Sequence, residues 1–476
     1  MDLPVRIALV AVIFVAATMA SGAGTGGGAL YIPGYIVSLK DVHKAVPLSK
    51  VTIFGGCLVS VLINIRRRNP KSNTPMIAYE LAALMEPFTL LGAIIGVLLN
   101  IVMTDLQILV CLVVTLSFTS YKTFRKGLAQ RAEETRILKE LEQRRYKEQV
   151  DNELGSLAPV VQGENRSELE RLLPPMEEDS RHTEGGASLE RSLKRTETED
   201  TTYFPISDSL LDIQDAVAVT PTSRVAADVV GYCRTCQVSC IYLVFDSVVN
   251  VVLLILAGGP VAVLCGSQWQ QGCIYLLLSI HVLGTFLFAR WLIKMRKQLE
   301  AAGEKSMDVA SGGLGWLTPV TAFVYPLLSM MAGVLAGAIG IGGGLVKGPL
   351  LLEIGLSPLA AVSTANFMIF FTSSANTLQY ATLGRLDLAD SICFFFTAFV
   401  AGAVGISCVF HFMKTTHRQS YLTFLLSFVT VISLLCMVGS FVHTHYFMTQ
   451  GPMKLLTLQD ACQQQQVSGR LLFSHF

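Results

Sequence analysis

The sequence predicts an all-α polytopic membrane protein of about ten transmembrane helices, arranged in two homologous repeats with glycine-broken helices. Three observations carry that reading. Of 476 residues, 52% are hydrophobic and 15% charged, with a mean hydropathy of +0.53, where a soluble domain carries about 25% charged residues. Apolar windows of about 20 residues, the length that crosses a hydrocarbon core, follow one another along most of the chain. Finally, Gly340-Ile341-Gly342-Gly343-Gly344, closed by Pro349, recurs as Gly24-Thr25-Gly26-Gly27-Gly28, closed by Pro33. Five glycine and proline positions match at a constant offset of 316, and Ala45-Val46 falls on Ala361-Val362.

In chain order the windows run from Val5 to Ala20 and past the glycines to Leu39, then Val51 to Ile65, Met76 to Leu99 and Leu106 to Phe124. After a polar segment come Val238 to Ala257, Cys273 to Ile293, Val320 to Ile354, Ala361 to Leu383, Leu388 to Phe412 and Tyr421 to Phe441. The chain therefore divides into a first repeat (1–125), a polar linker (126–230), two connecting helices (231–300), a second repeat (315–445) and a tail (446–476). Within the linker, Thr123 to Val150 mixes Glu, Lys, Arg and Leu at helical spacing and reads as a solvated helix. Asp151 to Asp228 has the low hydrophobicity and high charge of a disordered segment. Its Ser and Thr residues suit phosphorylation, and a plain spacer fits equally. The first window also has the form of a signal peptide. Cleavage near Ala20 would take from one glycine cluster the half-helix that the other keeps, so the window is read as retained.

Lys and Arg gather on the cytosolic side of membrane helices. Arg66, Arg67, Arg68 and Lys71, then Lys122, Arg125 and Lys126, then Arg290, Lys294, Arg296 and Lys297 each follow a window. This count makes those loops and the N-terminus cytosolic, puts Lys414 and Arg418 outside against the rule, and has both glycine clusters entering from one side. An inverted repeat needs one crossing more or fewer, such as a re-entrant glycine segment. Cys265 and Cys273 flank a loop placed outside and are the candidate disulfide. The sequon Asn165-Arg166-Ser167 lies in the linker and is expected to go unused. Cys233, Cys236 and Cys240 lack the partners of a zinc site, and no metal or cofactor motif is found. A net charge of +1 without a basic stripe excludes nucleic acid as a partner.

Consecutive glycines inside an apolar span cost about 1 kcal/mol each relative to Ala. Broken backbone at membrane depth survives only where it is buried in protein or lines a cavity, and half-helix N-termini then aim N–H groups at an anion. Gly26, Gly27, Gly28, Gly342, Gly343 and Gly344 are thus candidate substrate contacts. The alternative is a small-residue packing seam, although such seams space glycines at i and i+4. Lys347 either neutralises a bound anion or snorkels to the interface, and Tyr31 at the matched position makes the halves inequivalent. Lys50 and its match Asn366, together with Thr364, either bond an oxyanion or bridge helices. Glu86, Glu353 and His411 are the proton-coupling candidates, with His281 of the same kind.

The pattern G-x-G-G-G-x-x-x-x-P, early in each half and followed by an Ala-rich, Ser/Thr-bearing span, resembles the TauE/SafE sulfite exporter family. Tyr79-Glu80-Leu81-Ala82 leading to Glu86-Pro87-Phe88-Thr89-Leu90-Leu91-Gly92, and Ser363-Thr364-Ala365-Asn366-Phe367 with Ser373-Ser374, are similar to its eukaryotic, plant-type members. The position of Glu86 is often a neutral glutamine in those members, so the acid is a departure. The resemblance implies a membrane exporter, not an enzyme, of sulfite, organosulfonates or related small sulfur-containing anions. Its expected mechanism is alternating access, with proton coupling suited to sulfite's near-neutral second ionisation. The expected partners are that anion and the lipid bilayer of a plasma membrane or endomembrane; a homo-oligomer and a cytosolic partner for the linker are also admitted. The rival functions are an anion channel, and a membrane receptor or scaffold acting through the linker.

Overall fold

A computed structural model describes residues 3–39, 41–68, 75–157, 223–301, 316–416 and 420–448. The described chain is helical: α1 (Leu3–Ala23), α2 (Gly28–Leu39), α3 (Val42–Asn64), α4 (Tyr79–Val102), α5 (Asp105–Leu157), α6 (Ser223–Ala257), α7 (Ala262–Cys265), α8 (Gln268–Ala301), α9 (Thr321–Ile339), α10 (Gly344–Ile354), α11 (Pro358–Thr382), α12 (Leu388–Thr416) and α13 (Ser420–Met448). Two compact units are present, one of Met1–Glu134 with Ala227–Phe476 and one of Thr135–Ala226. The second carries the charged continuation of α5, where Arg136 and Glu140 pair one turn apart at 3.0 Å. The first holds everything that follows. Asn165 and most of the linker lie outside the described residues.

Nine described helices are long and apolar enough to cross a membrane. The 25-residue α11 is long enough but too polar along its length to count among them.

Both glycine clusters break their helices. Gly24, Gly26 and Gly27 have φ of 72°, 76° and 79°, and their matches Gly340, Gly342 and Gly343 have 82°, 79° and 70°. These are left-handed values, which cost an L-residue with a side chain roughly 1–2 kcal/mol each. The chain then turns back. Gly27 faces Ala20 while Gly34, further along α2, faces Leu9 and Ile13, so α2 retraces α1. Pro33 and Pro349 lie inside the returning helices α2 and α10, past the first turn where proline is free of cost.

Side-chain register gives the relative directions of α1, α3, α4, α9, α11 and α12. Thr89, Gly92, Gly96 and Asn100 of α4 meet Ser329, Met330, Val334 and Ala338 of α9 in the same order, so α4 and α9 are parallel. Arg6, Thr18 and Gly22 of α1 meet Asp390, Gly405 and Val409 of α12, and Gly55, Gly56 and Val59 of α3 meet Phe395, Ala398 and Gly402. Helices α1, α3 and α12 are therefore parallel. Ser21 and Gly24 of α1, however, meet Asn366 and Val362 of α11 in reversed order, and α11 runs with α4 through Ala78–Thr364 and Glu86–Thr372. Each element of the first repeat is thus antiparallel to its match in the second. The repeats are inverted, as in many transporters.

The matched pairs Ile53/Ile369 and Phe54/Phe370 sit together around Gly26, with the two Phe ring centroids 5.5 Å apart, which puts the pseudo-two-fold axis there. The helix ends at Ser21 and Ala336 lie beside Asn366 and Lys50. Those positions are three residues from the axis, about 5 Å along a helix. Each hairpin therefore turns at its glycine break and returns to the side from which it came.

This corrects the orientation drawn from the apolar windows. The α1–α2 hairpin adds no crossing, so the start of α1 lies opposite the cytosolic loops, and the two breaks enter from opposite sides. The end of α12, with Lys414, joins Arg66–Arg68, Lys122 and Arg290 on one face, which removes the exception to the charge rule; Arg418 lies outside the described residues. The Cys265–Cys273 disulfide is also corrected. Cys265 is disulfide-bonded, but Cys273 is a free, buried thiol packed as a small hydrophobe with Leu254, Ala257, Ile274 and Leu277.

Candidate functional site

At the centre of the fold the two breaks touch. A Cβ on Gly28 would lie 2.2 Å from the carbonyl oxygen of Gly340, and one on its match Gly344 would lie 2.7 Å from that of Thr25. Only glycine lets the backbones come this close. The first N–H groups of α2 and α10 have no partner inside their own helices, and both helix starts point their partial positive ends at this junction.

One turn into α10 stands Lys347, wholly buried. Its Nζ donates to Glu86 Oε2 at 2.8 Å and to Thr372 Oγ1 at 3.1 Å, and Thr372 Oγ1 donates to Glu86 Oε1 at 2.5 Å. Three helices, α4, α10 and α11, supply this closed triangle, and both charged side chains are fully sequestered. Removing two charges from water costs several kcal/mol per ion, so the pair persists only because each partner satisfies the other. Sequence reasoning named both residues and did not join them, since they lie 261 positions apart.

The other polar candidates hold the break open. Lys50 Nζ donates to the carbonyl of Ala336, Ser49 Oγ to that of Gly340 at 3.3 Å, Asn100 Nδ2 to that of Ala338 at 2.7 Å and Tyr380 OH to that of Gly337 at 2.9 Å. The carbonyls of Gly337 and Ala338 are ones that a helix C-terminus leaves unpaired, whereas that of Ala336 already accepts from Gly340 N at 3.1 Å and Lys50 is its second donor, at the negative end of the α9 dipole. In the first repeat Asn366 Nδ2 donates to Ser21 O at 3.2 Å. Thr364 Oγ1 accepts from Ala78 N at 3.0 Å, fixing the start of α4. Lys50 and Asn366 thus perform matched tasks across the repeat: each closes the broken helix of the opposite half.

Glu353 sits at the surface in an ion pair with Lys122 at 2.9 Å, both about half exposed, and His411 is exposed on α12. Neither joins the buried triangle. The structure instead shows a second buried cluster on the connecting helices. His281 Nδ1 donates to Asp246 Oδ1 at 2.8 Å, and Nε2 lies 3.0 Å from Asn250 Nδ2. Asp246 also acts electrostatically on Glu86. His281 was visible as a polar residue in an apolar window; Asp246, a carboxylate within the window Val238 to Ala257, carried the same signal and was missed. A small crevice is lined by Ala23, Gly24, Gly348, Leu352, Val362 and Leu426.

The family described as Sulfite exporter TauE/SafE matches residues 9–156 and 216–437, which take in both breaks, the buried triangle and the connecting helices. The chain is similar to Sulfite exporter TauE/SafE family protein 2 of Arabidopsis thaliana, at 26% identity over 441 residues, covering 90% of this chain and 81% of the relative. It is also similar to Sulfite exporter TauE/SafE family protein 5 of the same plant, at 26% identity over 431 residues, covering 88% and 79%. No solved structure matches the chain.

Proposed function

Since the chain belongs to the sulfite exporter TauE/SafE family, and is therefore an integral, multi-pass membrane transporter, we propose that it carries sulfite, organosulfonates or related small sulfur anions by alternating access around the paired breaks. The observation that carries this reading is the sealed Lys347–Glu86–Thr372 triangle beside the glycine junction. An oxyanion reaching the junction meets the N–H groups of Gly26 to Gly28 and Gly342 to Gly344, as anions do at helix N-termini. To bind Lys347 it must displace Glu86, and a displaced buried carboxylate is stable only once protonated. Anion and proton therefore enter together, and the net charge of the site is unchanged. Release restores the ion pair. Glu86 is the coupling group in this scheme; Lys50, Asn366 and Thr364 act by holding the broken helices in register. Inverted repeats offer the two related conformations that alternating access requires.

The test is flux of labelled sulfite, sulfate, thiosulfate and taurine-derived sulfonates in proteoliposomes of the purified protein. Saturable sulfur-anion flux, stimulated by an inward proton gradient in the direction of anion uptake, is expected. Glu86→Gln should retain binding and lose the response to the gradient. Flux that does not saturate would indicate a channel, and an unaltered gradient response in Glu86→Gln would remove Glu86 from the mechanism.

A further inference from the structure

Below the triangle, α11 continues with a polar stripe that the central site does not use. Thr372, Asn376 and Gln379 follow one another at spacings of four and three residues, so they share one face of the helix. All three are buried. Thr372 is bonded in the triangle, but both side-chain polar atoms of Asn376 and both of Gln379 have no hydrogen-bond partner, and neither does Nη1 of the half-buried Arg385 just beyond the helix end. An unmet buried polar atom costs about 1–3 kcal/mol, and inside a membrane the alternatives are fewer still. Four such atoms on two adjacent turns mark a surface meant to meet something polar.

The position of the stripe says what it meets. It begins at Thr372, one hydrogen bond from Lys347, and descends about 10 Å to Gln379, away from the cytosolic face. It ends at Arg385, on which Tyr380 and Asp41 act electrostatically. From Lys347 to Arg385 the groups on offer are an ammonium paired with Glu86, a hydroxyl, two amides that donate through nitrogen and accept through oxygen, and a guanidinium with Asp41 acting on it. The matched face of α3 carries Gly56, Ser60 and Ile63, so the first repeat has no such stripe. The neighbouring face of α11 is apolar, with Leu378 packed against the cluster of Ile94, Leu254 and Leu277.

We propose that Asn376, Gln379 and Arg385 line the outer half of the translocation path, where they solvate an oxyanion as it moves between Lys347 and the non-cytosolic face. The proposal rests on the anion reading above. Lipid-facing or purely structural amides would not leave all four atoms unpartnered. An oxyanion passing along the stripe is handed from guanidinium to amides to ammonium without facing bare hydrocarbon.

The experiment uses the full-length protein in vesicles, with Asn376→Cys, Gln379→Cys and, as a control on the apolar face, Leu378→Cys. Each is exposed from the Arg385 side to a methanethiosulfonate bearing a sulfonate group or to its trimethylammonium counterpart, and modification at the introduced cysteine is read by peptide mass spectrometry. The expected result is modification of Cys at 376 and 379 but not 378, at least tenfold faster with the anionic reagent, and slowed severalfold by the unreactive anion methanesulfonate. Arg385→Gln should remove most of the preference for the anionic reagent. No modification at 376 and 379 overturns the path, and equal rates for both reagents or no protection by methanesulfonate overturn the assignment of an anion to it. None of these readings uses flux, so a failure of sulfur-anion transport in the preceding assay would be seen separately.

Discussion

The Lys347–Glu86 pair can be tested as a pair. Replacing Lys347 by Met keeps the length of the side chain and removes the charge, which leaves Glu86 with Thr372 as its remaining donor in a wholly buried site. Breaking a buried pair in this way costs about 3–5 kcal/mol. Glu86→Gln keeps the shape and leaves an ammonium facing an amide oxygen, a milder but still uncompensated charge. In the double variant Lys347→Met with Glu86→Gln both charges are gone, and the Gln amide can still bond Thr372. The two single losses should therefore not add: the double variant is expected to recover at least about 2 kcal/mol of their sum, roughly a thirtyfold change in the unfolding equilibrium, within the range seen for directly coupled residues. Unfolding in mixed micelles, followed by the reactivity of buried Cys57 and Cys273, measures the four corners of the cycle. Losses that add to within about 0.5 kcal/mol would mean that the two groups do not support each other, and the exchange mechanism built on their separation would fall with them.

Other outcomes follow from the same contacts. Gly28→Ala places a methyl group 2.2 Å from the Gly340 carbonyl oxygen, whereas Gly34→Ala meets only the end of Leu9 at 3.3 Å; the first should abolish recovery of folded protein and the second should be tolerated, as size-exclusion yield will show. Gly343→Ala has room for its methyl group, with nothing closer than 3.5 Å to the Cβ, but a φ of +70°, so folded protein should be recovered with sulfur-anion flux reduced; unchanged flux would count against the glycine junction as the binding place. Lys50→Met removes the second donor from the Ala336 carbonyl, which keeps the N–H of Gly340, and should lower stability by about 0.5–1.5 kcal/mol, measured by the same micelle unfolding. Deleting residues 151–228 should leave flux intact, while loss of function with normal folding would favour a scaffold role for the linker.

Much of this arrangement could be read from residues alone, and the reasons for the exceptions are physical. The offset of 316 located both helix breaks because only glycine populates left-handed φ freely, so a structural demand left a compositional mark. Lys347 and Glu86 stood out because charge inside an apolar window is rare. The reversal at each break was not legible: a hydropathy window records how apolar a segment is, and a hairpin that returns is as apolar as a helix that continues. Counting each hairpin as one crossing put the N-terminus and Lys414 on the wrong sides, while the loops at Arg66–Arg68, Lys122 and Arg290 kept theirs. Lys50 and Asn366 were noticed as a matched pair, yet their task depends on which carbonyls a helix end exposes, and that is set by tertiary approach. Cys273 was misread for a related reason, since nearness in sequence to Cys265 says nothing of which way a thiol faces.

The crossed closure of the two broken helices also bears on how the protein is made. The carbonyl of Ser21 waits for Asn366, which is synthesised 345 residues later; at about 5–20 residues per second the interval is roughly 20–70 s. Through that time the first hairpin sits in or beside the translocation machinery with an open helix end and a junction that has no second half. A nascent chain in this condition needs shelter, and a pause or fault within the linker lengthens the exposure. Assembly of the membrane unit is thus timed by the synthesis of its second repeat, and quality control has a defined window in which to act on the first.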